Sequence, residues 1–197
     1  ALVLFADHEL ASATYAVRAA ANTGATPYQL VLIGLDTMRG RRLQLGRGDN
    51  IRRFINEILD APDPATPVVK RYRTGEQLPG FADGIYAGED SRARALLSAW
   101  SMTRPDDDAQ VRLSRAIEVG QELTGAVPDF ALPLFLLEKQ LGLQNDDGSL
   151  MGIARLVGWI AHAWEQFSST PLIRPRTAYV GELPDADEEG AAGRVRR

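Results

Sequence analysis

Residues 149–167 read SLMGIARLVGWIAHAWEQF, and this run decides the fold class. Leu150, Met151, Ile153, Leu156, Val157, Trp159, Ile160, Trp164 and Phe167 recur at helical spacing and cover nearly every face. A helix apolar all round is expected to be buried. Arg155 stands in its middle, and a guanidinium removed from water needs an anionic partner to offset its desolvation. His162 lies on the same helix near two tryptophans and reads as a satisfied core histidine.

Helical spacing continues upstream. Residues 9–22 are alanine-rich and close at Gly24, a natural C-terminal stop. Thr26 and Pro27 read as a helix start running to about Arg39, before Gly40. Asp49 or Asn50 is placed to cap a third helix carrying Ile51, Phe54, Ile55, Ile58 and Leu59. Residues 60–67 hold three prolines and read as a loop, and 74–88, with four glycines, as irregular chain. Two helices follow over 91–102 and 106–124, the second with Asp106, Asp107 and Asp108 in its first turn, where acidic charge suits the helix dipole. A further helix spans 129–141, with Pro133 tolerable near its start, and 142–148 is a turn. Residues 172–180 look extended, and those after Gly181 are too polar to fold alone. No repeat and no strand pairing is evident, so the fold is expected to be all-α.

The 197 residues suit one domain, or two small ones sharing a core, at 45% apolar and 24% charged. A net charge of −4 with scattered Lys and Arg argues against a nucleic-acid or membrane surface as partner. No apolar run reaches the roughly 18 residues of a membrane span. The opening Ala1 to Ala6 lacks a basic start and reads into Asp7, His8 and Glu9, unlike a secretory signal. Zero cysteines exclude disulfides, thiolate metal sites and a Cys nucleophile, and fit the cytoplasm. With His8 and His162 the sole histidines, no metal site is expected. No HExxH, GxSxG or Walker loop is present, so any chemistry must rest on carboxylates and arginines.

Five stretches, in order, resemble the citrate synthase family. Asp7-His8-Glu9 matches its DHE motif. Residues 38–43, MRGRRL, fall where the family carries GPLHG. Residues 78–83, LPGFAD, fall on its PGFGH loop, with Asp90-Ser91-Arg92-Ala93 on the DPRA that follows. Val127-Pro128-Asp129-Phe130 resembles NVDFY. Residues 152–162 followed by Leu172-Ile173-Arg174-Pro175-Arg176 are close to the family's C-terminal signature. The resemblance runs to about Glu182 and covers the C-terminal half of a family member. It implies a large domain built from residues 1–43 and 136–197, and a small domain from 44–135 that closes over substrate.

What the resemblance implies chemically is condensation of acetyl-CoA, or another short acyl-CoA, with oxaloacetate to citrate, a step of the tricarboxylic acid cycle. No permanently bound cofactor is implied; acetyl-CoA is a co-substrate. By motif match Arg92, Arg155 and Arg174 hold oxaloacetate, the last across a dimer interface, and planar guanidinium forks suit carboxylates. His8 adds a hydrogen bond, and Asp129 matches the base that removes the proton beside the thioester. The family's other two histidines fall on Leu43 and Asp83, and a basic residue that meets a CoA phosphate falls on Ala87. Leu43 offers no donor, and losing one oxyanion donor typically costs about 10²–10³ in rate. An ionised Asp83 would repel a dicarboxylate, whereas a protonated one still donates if burial raises its pKa.

The changes thus cluster on the acyl-CoA side and leave the dicarboxylate side largely intact. Two expectations follow: an impaired citrate synthase-like acyltransferase, or a non-catalytic di- or tricarboxylate-binding or regulatory partner of a full-length synthase. A third is a changed acyl-CoA reaction supported by Asp83. A homodimer, or a heteromer with a citrate synthase-like chain, is expected. Plain structural readings stand beside these: His8 as a helix brace, Asp129 as a helix N-cap, Arg155 paired with a structural carboxylate, Asp83 as a turn residue.

Overall fold

The structure is a computed structural model that describes residues 1–7, 9–40, 48–81, 88–143, 149–168, 172–174, 177–178 and 180–181. Its described residues form helices: α1 (Leu2–Phe5), α2 (Ser12–Asn22), α3 (Pro27–Met38), α4 (Gly48–Asp60), α5 (Thr66–Thr74), α6 (Ser91–Thr103), α7 (Asp108–Thr124), α8 (Ala131–Gln140) and α9 (Ser149–Phe167). The single extended pairing among them is an isolated antiparallel bridge between Phe81 and Pro128. The chain is all-α, and no described helix is long and apolar enough to cross a membrane.

Local chemistry sets most boundaries. Thr26 and Gln29 form a reciprocal capping box at the start of α3, with Pro27 in its first turn. Asp107 caps α7 by accepting from the Gln110 N–H at 3.0 Å, so the helix begins two residues later than the acidic run suggests. α2 starts at Ser12 rather than Glu9, because Glu9 takes φ 60, a left-handed conformation that costs energy in a residue with a side chain. α5 begins inside the stretch 60–67 that its prolines mark as loop: residues 61–65 turn, and Pro67 then sits in a first helical turn, where its missing N–H is not needed.

Two packing groups result. α1, α2 and α3 pack around α9, while α4, α6 and α7 surround α8, with α5 against α4 and α7. α1 touches α6 and so joins the groups. α8 packs on α4, α6 and α7, the helices of the second group. One continuous core runs through both, including the fully buried Val17, Leu30, Phe54, Leu113, Leu132 and Trp159.

α9 is not buried all round. Met151, Ala154, Arg155, Trp159 and Ala163 face inward, but Ile153, Val157, Ile160, Trp164 and Phe167 form an exposed apolar stripe. The reason is that α1, α2 and α3 cover one side of it only. On the covered side the helices approach closely. A Cβ at Gly34 of α3 would stand 2.6 Å from the Trp159 ring, and one at Gly158 would stand 2.1 Å from the Ala6 carbonyl oxygen.

Candidate functional site

The two packing groups meet at an aromatic pair. Phe5, the last residue of α1, stacks on Phe130, the N-cap residue of α8, with centroids 5.5 Å apart and planes at 9°. Such offset pairs add to simple burial. Arg92, on the first turn of α6, brings its guanidinium carbon 5.5 Å from the Phe5 centroid and 5.3 Å from that of Phe130. Arg155, in the middle of α9, brings its own to 5.8 Å from Phe5. Two arginines 63 positions apart in sequence therefore converge on one ring, and both are buried, at 8% and 1% exposure. Guanidiniums favour aromatic faces for electrostatic reasons.

Each arginine is held by a carboxylate. Asp90 Oδ1 accepts from Arg92 Nε at 2.9 Å and Oδ2 from Nη2 at 2.8 Å, a two-point pair. Asp90 also caps α6 through the Arg92 N–H and accepts from the Phe130 N–H at 3.0 Å, tying α6 to α8. Burial works to raise the Asp90 carboxyl, yet the Arg92 hydrogen bonds and charge, with those two backbone N–H groups, hold it below its ordinary value. Arg155 Nη2 donates to Thr14 Oγ1 at 2.8 Å and lies 3.6 Å from Asp7 Oδ1. This is the anionic partner its burial requires.

Asp7 is the second junction. Its Oδ1 is 3.1 Å from His162 Nε2, and its Oδ2 accepts from the Glu9 N–H at 3.4 Å. Burial works to raise this carboxyl too, but the His162 hydrogen bond and the Arg155 charge keep it lowered. His162 is half-buried and polar-bonded on both ring nitrogens, since Nδ1 lies 3.1 Å from Arg18 Nη1.

Asp129 is buried beside the aromatic pair. Its Oδ1 accepts from the Ala131 and Leu132 N–H groups at 2.9 and 3.3 Å, and its own N–H donates to Gly80 O at 2.8 Å. The helix-capping role thus has geometry behind it. The same contacts dock the 78–81 loop, which leads toward Asp83, against the start of α8. A Cβ at Gly80, whose φ is 79, would press on Leu132 at 2.9 Å.

Of the residues singled out in the sequence, Arg92 and Arg155 are brought together at Phe5, and Asp129 adjoins Phe130 at the start of α8. Arg174 is exposed, in a short segment whose Ile173 N–H donates to Asn22 at the end of α2. His8, Leu43, Asp83 and Ala87 lie outside the described residues. Sequence reasoning gave no role to Phe5, Asp7, Thr14 or Asp90. Asp7 and Asp90 stand inside quoted motifs, so a search for the counter-charges of Arg92 and Arg155 would have found them. No cluster of three His, Asp or Glu suited to a metal occurs among the described residues.

Comparison with known proteins adds the family. The family model for the citrate synthase C-terminal domain matches residues 1–176. The chain belongs to the citrate synthase family. A citrate synthase of Haloferax volcanii is 32% identical over 189 residues, which cover 92% of this chain and 49% of that protein. 2-Methylcitrate synthase 1 of Corynebacterium glutamicum is 27% identical over 184 residues, covering 91% and 48%. The crystal structure of citrate synthase from Thermotoga maritima superposes with a TM-score of 0.75 at 26% identity, covering 93% of this chain and 52% of that one. The fold alone is shared with a citryl-CoA lyase from Hydrogenobacter thermophilus, at TM-score 0.78 and 20% identity, covering 93% of this chain and 75% of that one. The chain spans about half the length of the curated citrate synthase relatives it matches.

Proposed function

We propose that this citrate synthase-family chain binds a di- or tricarboxylate of the oxaloacetate–citrate class through Arg92, Arg155, His8 and, from a neighbouring subunit, Arg174. The observation that carries this reading is the convergence of Arg92 and Arg155 on the Phe5 ring. Two guanidiniums held against one aromatic support place positive charge where the carboxylates of an anionic ligand can pair with it. Asp90 and Asp7 keep both forks ordered in the absence of ligand. A ligand carboxylate would compete with them, so binding requires the two helix groups to open around Phe5 and Phe130.

Condensation of acetyl-CoA, or another short acyl-CoA, with oxaloacetate is the reaction this scaffold would perform, with Asp129 as the base. In this chain the reaction is impaired, because Leu43 and Asp83 stand where the family has histidines and Ala87 where it has a phosphate partner. The substrate-closing small domain comprises residues 44–135, and the large domain 1–43 with 136–197. The exposed stripe on α9 supports assembly with a second copy or with another citrate synthase-like chain. A cytoplasmic location goes with this reading.

Calorimetry with oxaloacetate, citrate and acetyl-CoA, paired with a thiol-release assay, tests it. Carboxylate binding without acetyl-CoA binding, and little thiol release, is the expected result. Failure of both carboxylates to bind would overturn the proposal. Thiol release that needs both substrates and disappears in Asp129→Asn would restore full catalysis instead.

A further inference from the structure

The contacts of His162 bear on its tautomer as well as its position. Arg18 Nη1 stands 3.1 Å from Nδ1, and an arginine is a donor only, charged at every accessible pH. Nδ1 must therefore present its lone pair. The ring proton is then on Nε2, which faces Asp7 Oδ1 at 3.1 Å and donates to it. Turning the ring over would place carbon atoms against both Arg18 and Asp7 and lose both bonds. Glu165 Oε2 holds Arg18 in place at 2.8 Å, while its 3.8 Å from Nδ1 is too long to offer that nitrogen an alternative bond. The charged groups around the ring are thus Arg18 from α2, Glu165 and Arg155 from α9, and Asp7 from the connection after α1.

The oriented proton holds a strained piece of chain. Asp7 Oδ1 is shared between His162 and Arg155, and its Oδ2 receives the N–H of Glu9, the one described non-glycine residue with positive φ. His8 lies between Asp7 and Glu9 in the sequence. Left-handed backbone persists where surrounding bonds over-determine it, and Asp7 supplies such bonds.

We propose that Arg18 and His162 form a positioning pair: Arg18 fixes the His162 tautomer, and the directed Nε2–H fixes the Asp7 carboxylate, which receives the Glu9 N–H and serves as the counter-charge of Arg155. His162 is a positioning residue, acting through Asp7. Its effect on ligand affinity rests on the carboxylate-binding reading above; its effect on Asp7 does not.

Long-range ¹H–¹⁵N correlation on the whole chain reads the tautomer directly, because only two histidines are present. The pair predicts an Nε2–H ring for His162 that becomes a tautomer mixture in Arg18→Met. An Nδ1–H ring in the wild type, or an unchanged tautomer in Arg18→Met, overturns the proposal. Carboxyl ¹³C titration gives a second readout. The Asp7 midpoint should rise in His162→Ala and stay near wild type in His162→Gln, whose amide keeps a donor at the Nε2 position. Equal midpoints in all three proteins also overturn it. Citrate affinity should fall about ten-fold in His162→Ala, as befits a lost hydrogen bond to a charged group, and recover in His162→Gln. If the wild type gives no heat with citrate, the function reading falls, and the tautomer and titration results decide the pair on their own.

Discussion

Gly158 lies against the Ala6 carbonyl so closely that a Cβ there would be 2.1 Å from the oxygen. That contact fixes α9, which carries Arg155 and His162, against the end of α1, which carries Phe5 and leads into Asp7. The junction is backbone on backbone, so neither side can yield by rotating a side chain. Glycine at this position is therefore a requirement of the site's geometry and not of local helix chemistry.

Gly158→Ala is expected to destabilise the fold by about 1–3 kcal/mol, the usual range for overpacking, despite alanine's better helix propensity. Urea denaturation checks this. An unchanged or raised midpoint would mean that α9 and α1 are not packed as described.

Asp90 and Arg92 form a buried two-point pair, and removing one partner of such a pair typically costs about 3–5 kcal/mol. Asp90→Asn should show a loss of that order at pH 7. The sign of the pH effect follows from the lowered folded-state pKa of Asp90: its stabilisation is fully present above the unfolded carboxylate value, about pH 4, and is lost as pH falls through the folded value. The variant should consequently show a shallower acid limb than the wild type below about pH 4. Stability measured across pH 2–7 compares the two slopes.

Phe5→Leu keeps most of the buried volume but removes the ring shared by Arg92 and Arg155. Stability should drop by roughly 1–2 kcal/mol, and citrate binding should weaken more than that loss of global stability explains, because the two guanidiniums lose their common support. Binding measured well below the unfolding midpoint separates the two effects.

Leu43→His combined with Asp83→His should raise thiol release in the acetyl-CoA assay. Each restored donor is worth on the order of 10²–10³ in rate where the surrounding scaffold is in place. No gain in a folded double variant would count against the placement of those two positions on the family's histidines.

Assembly is predicted to depend on the α9 stripe. Sedimentation equilibrium should show a dimer for the wild type and monomer for Val157→Asp with Trp164→Asp. A monomeric wild type would contradict the assembly proposed here.

The helices were legible where end signals are local: Thr26, Pro27 and Gln29 announce α3, and Gly24 closes the α2 region. The start of α5 was not, because Pro62, Pro64 and Pro67 together signal a loop while Pro67 is in fact compatible with a first turn. The burial of α9 was misread because apolar periodicity reports what a helix can bury, not how many neighbours are present to bury it. Arg92, Arg155 and Asp129 were singled out through their motifs. Their partners were not, since Asp90 and Asp7 owe their roles to contacts with Phe130 on α8 and with Arg155 and His162 on α9, far off in sequence.

The most direct measurement follows the arginine side chains themselves. Titrating citrate into ¹⁵N-labelled protein and recording the Nε–H resonances should move those of Arg92 and Arg155 together, saturating with one dissociation constant. Citrate at millimolar concentration that leaves both resonances in place, or shifts only exposed arginines such as Arg94, would contradict carboxylate binding at the Phe5 ring.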